Sequence, residues 1–553
     1  MRAIEEALQD ARTVANLRLH RATYVPTDQD ATIIQSKASE LRALEHKIAA
    51  DISALLRKQD AIRSQIAIHD AIVAPWRRLP FEVLSDIFIS ALPDDWEDAY
   101  AGRRTLNFAR VCWSWRQVAL LTPRLWTSLR IDATKNPPSK LVKPLRAELE
   151  RTAQAPLSLF VAMHVDPLVF LPFPSPTKDA LWGRETWALL GAQSHRWERA
   201  LLFELPSYAY DALAGNAFPA LQDLAIYIDE EEDEIAHEIV PLHVFENAPN
   251  LASLFLNYTS PIRACQIPQS WSLTKLIIEC GEHSDVTLVP CLSAIMACNK
   301  TLRSLTISAD ESFGDLPASR EPTTFPRLEE LELRHNAILL GLLLSTPNLQ
   351  TLRFSAYSDV EAYPFEVLKS ILERSSDCVS IRSLRLEGLE PNRAEDVVDC
   401  LCLLPRLTEL ELKNDDALED LEQPLITLPL MIALTRDPER PSSMSLLPNL
   451  SHLVIDFGAM GDIAYDPVMR SSLSTLLHSR RDAQTVDGVD LAALQRLRTS
   501  DKFTSWPPEA EHNGDGDEYE EDDSDELDAF RNDDEEVRAI DELYPPDYLG
   551  IGF

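Results

Sequence analysis

Apolar residues follow three kinds of spacing along this chain, and each kind predicts a different element. Between residues 41 and 73 they recur in steps of three and four, at Leu41, Leu44, Ile48, Ile52, Leu55, Ile62, Ile66 and Val73, with charged residues filling much of the remainder. This spacing predicts one long amphipathic helix. Gln59 and His69 fall on the same seam, and polar seam residues weaken a coiled coil while setting its register. Two readings of the seam stay open: it packs back on the segment that follows it, or it self-associates through residues 41–73.

The second spacing covers residues 74–131. Pro80 suits a first helical turn, and Val83, Leu84, Ile87 and Phe88 then recur at i, i+1, i+4 and i+5 on an apolar face. Val111, Cys112, Trp115, Val118 and Ala119 repeat the helical spacing until Pro123 stops it. The pair predicts a small helical hairpin core.

The third is a degenerate repeat, apolar-x-x-apolar-x-apolar. It runs Leu221/Leu224/Ile226, Leu251/Leu254/Leu256, Leu273/Leu276/Ile278, Leu302/Leu305/Ile307, Leu328/Leu331/Leu333, Leu349/Leu352/Phe354, Ile381/Leu384/Leu386, Leu407/Leu410/Leu412 and Leu450/Leu453/Ile455. Trp126/Leu129/Ile131 and Trp197/Ala200/Leu202 are weaker leading units. Phrases such as Phe218-Pro219-Ala220-Leu221 and Thr346-Pro347-Asn348-Leu349 introduce several units, with proline ending the preceding helix. Helical patterns fill gaps such as 337–344, 364–372 and 394–404. A strand plus a helix cannot bury its apolar face alone, so the units must stack. The fold class expected is therefore α/β.

The string Leu79-Pro80-Phe81-Glu82-Val83-Leu84-Ser85-Asp86-Ile87-Phe88, followed by Val111-Cys112-Trp113-Ser114-Trp115-Arg116 and Pro123-Arg124-Leu125-Trp126, resembles an F-box. The array behind it resembles the leucine-rich-repeat domain found after many F-boxes, although only the unit starting at Leu328 carries that family's asparagine, Asn336. The resemblance implies docking onto a Skp-type adaptor of a cullin-RING ubiquitin ligase core, of the SCF type, with Leu79, Pro80, Val83, Leu84, Ile87, Phe88, Val111, Cys112 and Trp115 as the adaptor-binding set. It also implies a protein substrate, not named by the sequence, held on the strand side of the repeats. The variable positions Glu329, Glu330, Glu332, Arg334, Thr408, Glu409, Glu411 and Lys413 are the substrate-binding candidates there, many of them acidic. The alternative function is a leucine-rich-repeat scaffold outside any ligase, dimerised by its N-terminal helix.

Charge refines this picture. Of a formal −37, residues 509–542 hold eighteen acidic residues against Arg531 and Arg538, and about −21 remains elsewhere. An acidic surface repels phosphate, which argues against nucleic acid and anionic membranes as partners. The tail composition predicts disorder over about 507–542, with Ser524 an acidophilic kinase candidate. Glu5, Glu6 and Asp10 interrupt any signal-peptide core. With reduced thiols the economical reading of eight unpaired cysteines, the expected location is cytoplasmic or nuclear.

No GxxxxGK[ST] loop, GxGxxG turn, HExxH helix or GxSxG elbow occurs, and no CxxC pair. The string from Asp515 has Glu520 where a calcium loop needs glycine. The expectation is a non-catalytic receptor subunit without cofactor or metal, organised as 1–73 helix, 74–131 F-box, 132–194 linker and leading repeats, 195–500 repeats with a C-terminal cap, and 501–553 acidic tail.

Overall fold

The computed structural model describes residues 2–22, 24–92, 108–132, 138–162, 184–205, 207–228, 241–259, 262, 264–281, 287–310, 321–356, 363–375, 380–393, 395–414, 424–457, 467–486 and 488–499. The acidic tail with Ser524 and the string from Asp515 lie outside them. The chain divides into two compact units, Met1–Ala318 and Ser319–Phe553, a division that falls inside the segment 195–500 expected to be one array.

The first unit opens with three helices, α1 (Arg2–Val14), α2 (Leu17–Arg21) and α3 (Asp28–Val73). The predicted helix thus starts thirteen residues before Leu41, where Thr27 and Asp30 form a reciprocal capping box. Hydrogen bonds from Thr27 hold the Asp30 carboxyl below its ordinary value. Asp10 of α1 pairs with Lys37 of α3 at 2.6 Å, and Ile4 and Leu8 line an apolar groove of about 470 Å³ with Leu41, Leu44, Ile48 and Ile52. This contact covers the N-terminal half of the seam. Pro75 then blocks further helix, and the chain turns at the buried Ala74.

A small helical module follows. Helix α4 (Phe81–Ser90) packs on the helix Trp113–Leu120, with Leu84, Phe88, Val118 and Ala119 buried between them. Phe88 stacks on Phe108 at 4.5 Å between ring centres and meets Trp115 at 5.0 Å. Trp126 Nε1 donates to the Ala119 carbonyl at 2.8 Å, locking the closing turn to the helix end.

Seven parallel strands complete this unit in chain order: β1 (Ser128–Asp132), β2 (Leu157–Ala162), β3 (Trp197–Phe203), β4 (Asp223–Ile228), β5 (Ser253–Tyr258), β6 (Lys275–Cys280) and β7 (Ser304–Ala309). The second unit adds β8 (Thr323–Thr324), β9 (Glu330–His335), β10 (Leu344–Ser345), β11 (Thr351–Ser355), β12 (Ser383–Glu387), β13 (Glu409–Lys413), β14 (His452–Asp456), β15 (Gln484–Val486), β16 (Val489–Leu491) and β17 (Arg496–Thr499). There β9, β11, β12, β13, β14 and β17 pair in parallel, β8 pairs with β10, and β15 and β16 form a hairpin. In every repeat motif named above the last two apolar residues lie on a strand of these sheets, and the first stands just before it or, at Trp197, opens it.

Parallel register explains why the repeat has the form it does. Leu331 sits beside Leu352, then Leu384, Leu410, Leu453 and Leu497, so equivalent apolar residues form one continuous buried row. Helical segments such as Leu292–Ala297, Pro364–Arg374 and Leu428–Leu434 turn buried Leu, Ile, Val and Met side chains toward the core. Two strands escaped the sequence pattern. In β2 the first apolar slot is Pro156, and in β17 the last is Thr499. The region after Ile455, expected to be a helical cap, is a helix (Pro467–Arg480), the hairpin and a final strand.

Most units lack an asparagine equivalent to Asn336, and a different asparagine recurs. Asn250, Asn348 and Asn449, each the residue after proline in its introducing phrase, donate to the carbonyls of Pro219, Pro326 and Pro405 at 2.7, 2.8 and 2.9 Å. Each acceptor is the proline of the preceding unit's phrase, so the bond staples one unit to the next. Asn348→Ala is expected to cost about 0.5–1.5 kcal/mol, read as a lower urea midpoint. An unchanged midpoint would assign the bond no stabilising role.

Candidate functional site

Two surfaces present side chains that the cores do not use. The first is the outer face of the helical module. Leu79, Phe81, Val83, Ile87, Val111 and Trp113 are exposed, Trp113 at 74%. They lie on and beside α4 and at the start of the facing helix, so apolar surface continues around a module whose core is already closed. Leu84 and Phe88, expected in the adaptor-binding set, are instead 2% and 0% exposed and fill the core. Trp115 packs against that core, Cys112 is half-buried, and Pro80 is exposed at the N-cap of α4. Phe81 and Trp113 were missed from the set. Their signal was present: each is a large aromatic one position after an expected member, Pro80 and Cys112.

The second surface is the outer face of the strands, where alternation turns every other residue away from the buried rows. In the second unit Glu330, Glu332 and Arg334 of β9 and Glu409, Glu411 and Lys413 of β13 stand on this face. Glu329 and Thr408 do not: they precede their strands, their carbonyls accept backbone bonds from the next unit, and Thr408 Oγ1 donates to the Arg382 carbonyl.

The strands between supply partners that the sequence reading left out. Arg353 of β11 reaches Glu332 at 3.6 Å, and Arg385 of β12 reaches Glu387 at 2.8 Å and Glu411 at 3.4 Å. Lys413 closes on Glu387 at 3.1 Å, and Arg334 on Glu332 at 2.7 Å. Glu332 and Glu411 therefore belong to an interleaved lattice of both signs. The pairs at Glu332 and Glu411 are partly exposed, so they contribute little stability and set a charge pattern, while Glu387, at 4% exposed, is held by both Arg385 and Lys413.

The first unit's strand face differs in kind. Phe160, Leu201, Ala225, Phe255 and Ile277 occupy one register row across β2 to β6, and Phe203 and Tyr227 begin the next. Phe203 meets Tyr227 at 5.0 Å, Tyr227 meets Phe255 at 5.0 Å, and the Arg130 guanidinium lies 4.8 Å above the Phe160 ring. Large apolar residues at slots the repeat assigns to solvent were the legible signal for this band.

Of the described thiols, Cys265, Cys280, Cys291, Cys298 and Cys400 are enclosed, whereas Cys402 is exposed. Cys280 and Cys291 lie against the Tyr258 hydroxyl, at 2.7 and 3.7 Å, all three almost fully buried. Burial pushes the Cys298 thiol up to about 11 and the Cys400 thiol up to about 12, which keeps both protonated at neutral pH. Contact with Cys265 holds Cys291 low and raises Cys265 in return. Among the described residues no group of three His, Cys, Asp or Glu side chains is placed to hold a metal ion, and no helix is long and apolar enough to cross a membrane. Compared with protein-family models and with curated proteins, the chain matches none.

Proposed function

We propose that this protein is a substrate-recognition subunit of an SCF-type ubiquitin ligase, in which the helical module at 74–131 acts as an F-box and the strand-plus-helix units act as an irregular leucine-rich-repeat array. The observation that carries the reading is the exposed apolar face of Leu79, Phe81, Val83, Ile87, Val111 and Trp113 around a completed core. Such a patch on a small module fits a protein partner, and its composition suits a Skp-type adaptor. The protein supplies no chemistry in this reading. It holds a substrate lysine near the ubiquitin-charged enzyme that the ligase core recruits, and proximity raises the rate.

The strand faces are the substrate side. The aromatic band of β2 to β6 favours an apolar or aromatic protein segment, and the charge lattice of β9 to β13 favours one bearing both signs. The test is co-purification with a Skp-type adaptor. Leu79→Ala with Pro80→Ala should lower adaptor affinity by about tenfold to a hundredfold, since removing central apolar anchors costs about 2 kcal/mol or more, while circular dichroism shows an intact melt. Undiminished adaptor binding in the folded variant would sink the assignment.

A further inference from the structure

The C-terminal half of α3 is a helix surface without a core. Beyond the stretch covered by α1, Ile52, Leu55, Ile62, Ile66 and Val73 are 52%, 64%, 61%, 55% and 68% exposed, and Leu56 and Ile72 flank them at 53% and 58%. Helices facing a protein core bury such a stripe. With Gln59 and His69 included, the seam runs 52, 55, 59, 62, 66, 69, 73, an unbroken alternation of three and four over about 33 Å, which is the spacing of a two-helix seam. The outcome expected for 41–73 as a whole is therefore divided: α1 covers the first half and the second half lies open.

We propose that residues 52–73 pair with the same segment of a second copy of this chain in an antiparallel coiled coil. In the register that sets Ile62 against Ile66 of the second copy, Leu55 meets Val73 and Gln59 meets His69. Every apolar seam residue in those layers then meets an apolar one. The two polar residues meet each other with matched chemistry: the Gln59 side-chain amide both donates and accepts, so it can bond the His69 ring in either tautomer, while His69 Nδ1 is engaged by Gln65 within its own helix. A parallel pair would set Gln59 on Gln59 and His69 on His69, with Lys58 beside Arg63 on both flanks. The antiparallel pair brings only Arg63 near its counterpart, on a solvated flank where salt screens it.

The covered half of the helix argues for the same orientation. Helix α1 occupies the stripe at Leu41, Leu44 and Ile48, so a parallel pair would bring both α1 helices to one end and force the axes apart there. In the antiparallel register that half extends past Val73 of the second copy, where the stripe ends. The area is sufficient. At on the order of 100 Å² for each Leu, Ile or Val, Leu55, Leu56, Ile62, Ile66, Ile72 and Val73 bury about 1,200 Å² over both copies, at the lower end of the roughly 1,200–2,000 Å² of specific interfaces.

The test uses the full-length protein in light scattering after size exclusion at tens of micromolar. The expected mass is twice 62.2 kDa, falling to 62.2 kDa for Ile62→Lys with Ile66→Lys, with no loss of melting temperature because both positions are exposed. A monomeric parent chain overturns the proposal, as does a dimer that survives the double substitution. Orientation is read by oxidation of Ile62→Cys and Ile66→Cys chains against the parent. A disulfide that forms when the two are mixed and not in either alone supports the antiparallel register; self-linking of each alone overturns it.

Discussion

Replacing Arg480 with methionine is expected to lower the stability of the second unit by about 3–5 kcal/mol, as for breaking a buried charged contact, and its melting temperature by about 10 °C. Arg480 is fully buried at the end of the helix Pro467–Arg480. Its guanidinium donates to the carbonyls of Leu434, Leu446 and Leu447 at 2.7, 2.9 and 3.0 Å. Leu434 ends its helix and Leu447 sits at φ 49°, so one side chain ties together a helix terminus and a left-handed turn. Methionine fills similar volume but takes the guanidinium donors from the Leu434 and Leu446 carbonyls, each loss costing about 1–3 kcal/mol before relaxation, while the Leu447 carbonyl keeps the Leu450 N–H at 3.3 Å. Lysine at 480 should recover part of the loss, because it keeps the charge without the planar fork.

The pH behaviour of this contact has a definite sign. Burial, with Arg436 beside it, pushes the Arg480 guanidinium down to about 9, so it remains charged at neutral pH. Its folded value lies below the unfolded one, so the unfolded chain holds the proton more tightly. Any contribution to stability from this titration rises above about pH 9 and is flat below it. The gap between parent and Arg480→Met should therefore be constant from about pH 6 to 8 in urea unfolding. A gap that closes across that range, or a melting temperature within a degree of the parent's, would remove Arg480 from this role.

Phe88→Ala is expected to unfold the helical module while leaving the strands intact. Among the described residues the module core consists of Leu84, Phe88, Val118 and Ala119 with four partly buried neighbours, and Phe88 supplies the one fully buried ring among them. Truncating a buried Phe costs about 3–5 kcal/mol, which a core of this size has no other contacts to offset. Hydrogen exchange should lose protection across 81–90 and 113–120 and keep it across β4 to β7. Val83→Ala, on the exposed side, should keep protection throughout. If Phe88→Ala kept it too, the assignment of Phe88 to the core would fail.

That contrast shows where sequence periodicity runs out. Val83/Ile87 and Leu84/Phe88 have the same apolar character and the same spacing, one residue apart, so the pattern marks both as facing something. The core took Leu84 and Phe88 because Val118, Ala119 and Phe108 close on that side. The seam of α3 divides for the same reason, since its apolar residues look alike until α1 covers Leu41 to Ile48 and stops. On the strands, the alternation identifying Glu332 and Glu411 as outward residues says nothing of Arg353 and Arg385 beside them. Those neighbours exist only through the register of strands twenty or more residues apart.

The sequence by itself determined the elements: a long helix before Pro75, two short apolar helices, and a series of strands announced by proline and by leucines at fixed steps. Such elements depend on local spacing, because helix and strand faces repeat every 3.6 and 2 residues whatever surrounds them. The tertiary structure decided which of two equivalent faces is core and which is surface, and where pairing makes an acidic list into a lattice of both signs. It also decided where a buried Arg480 binds three carbonyls. Burial and charge pairing are properties of neighbours, and residues far apart in the chain become neighbours only when the strands stack and the helices close over them.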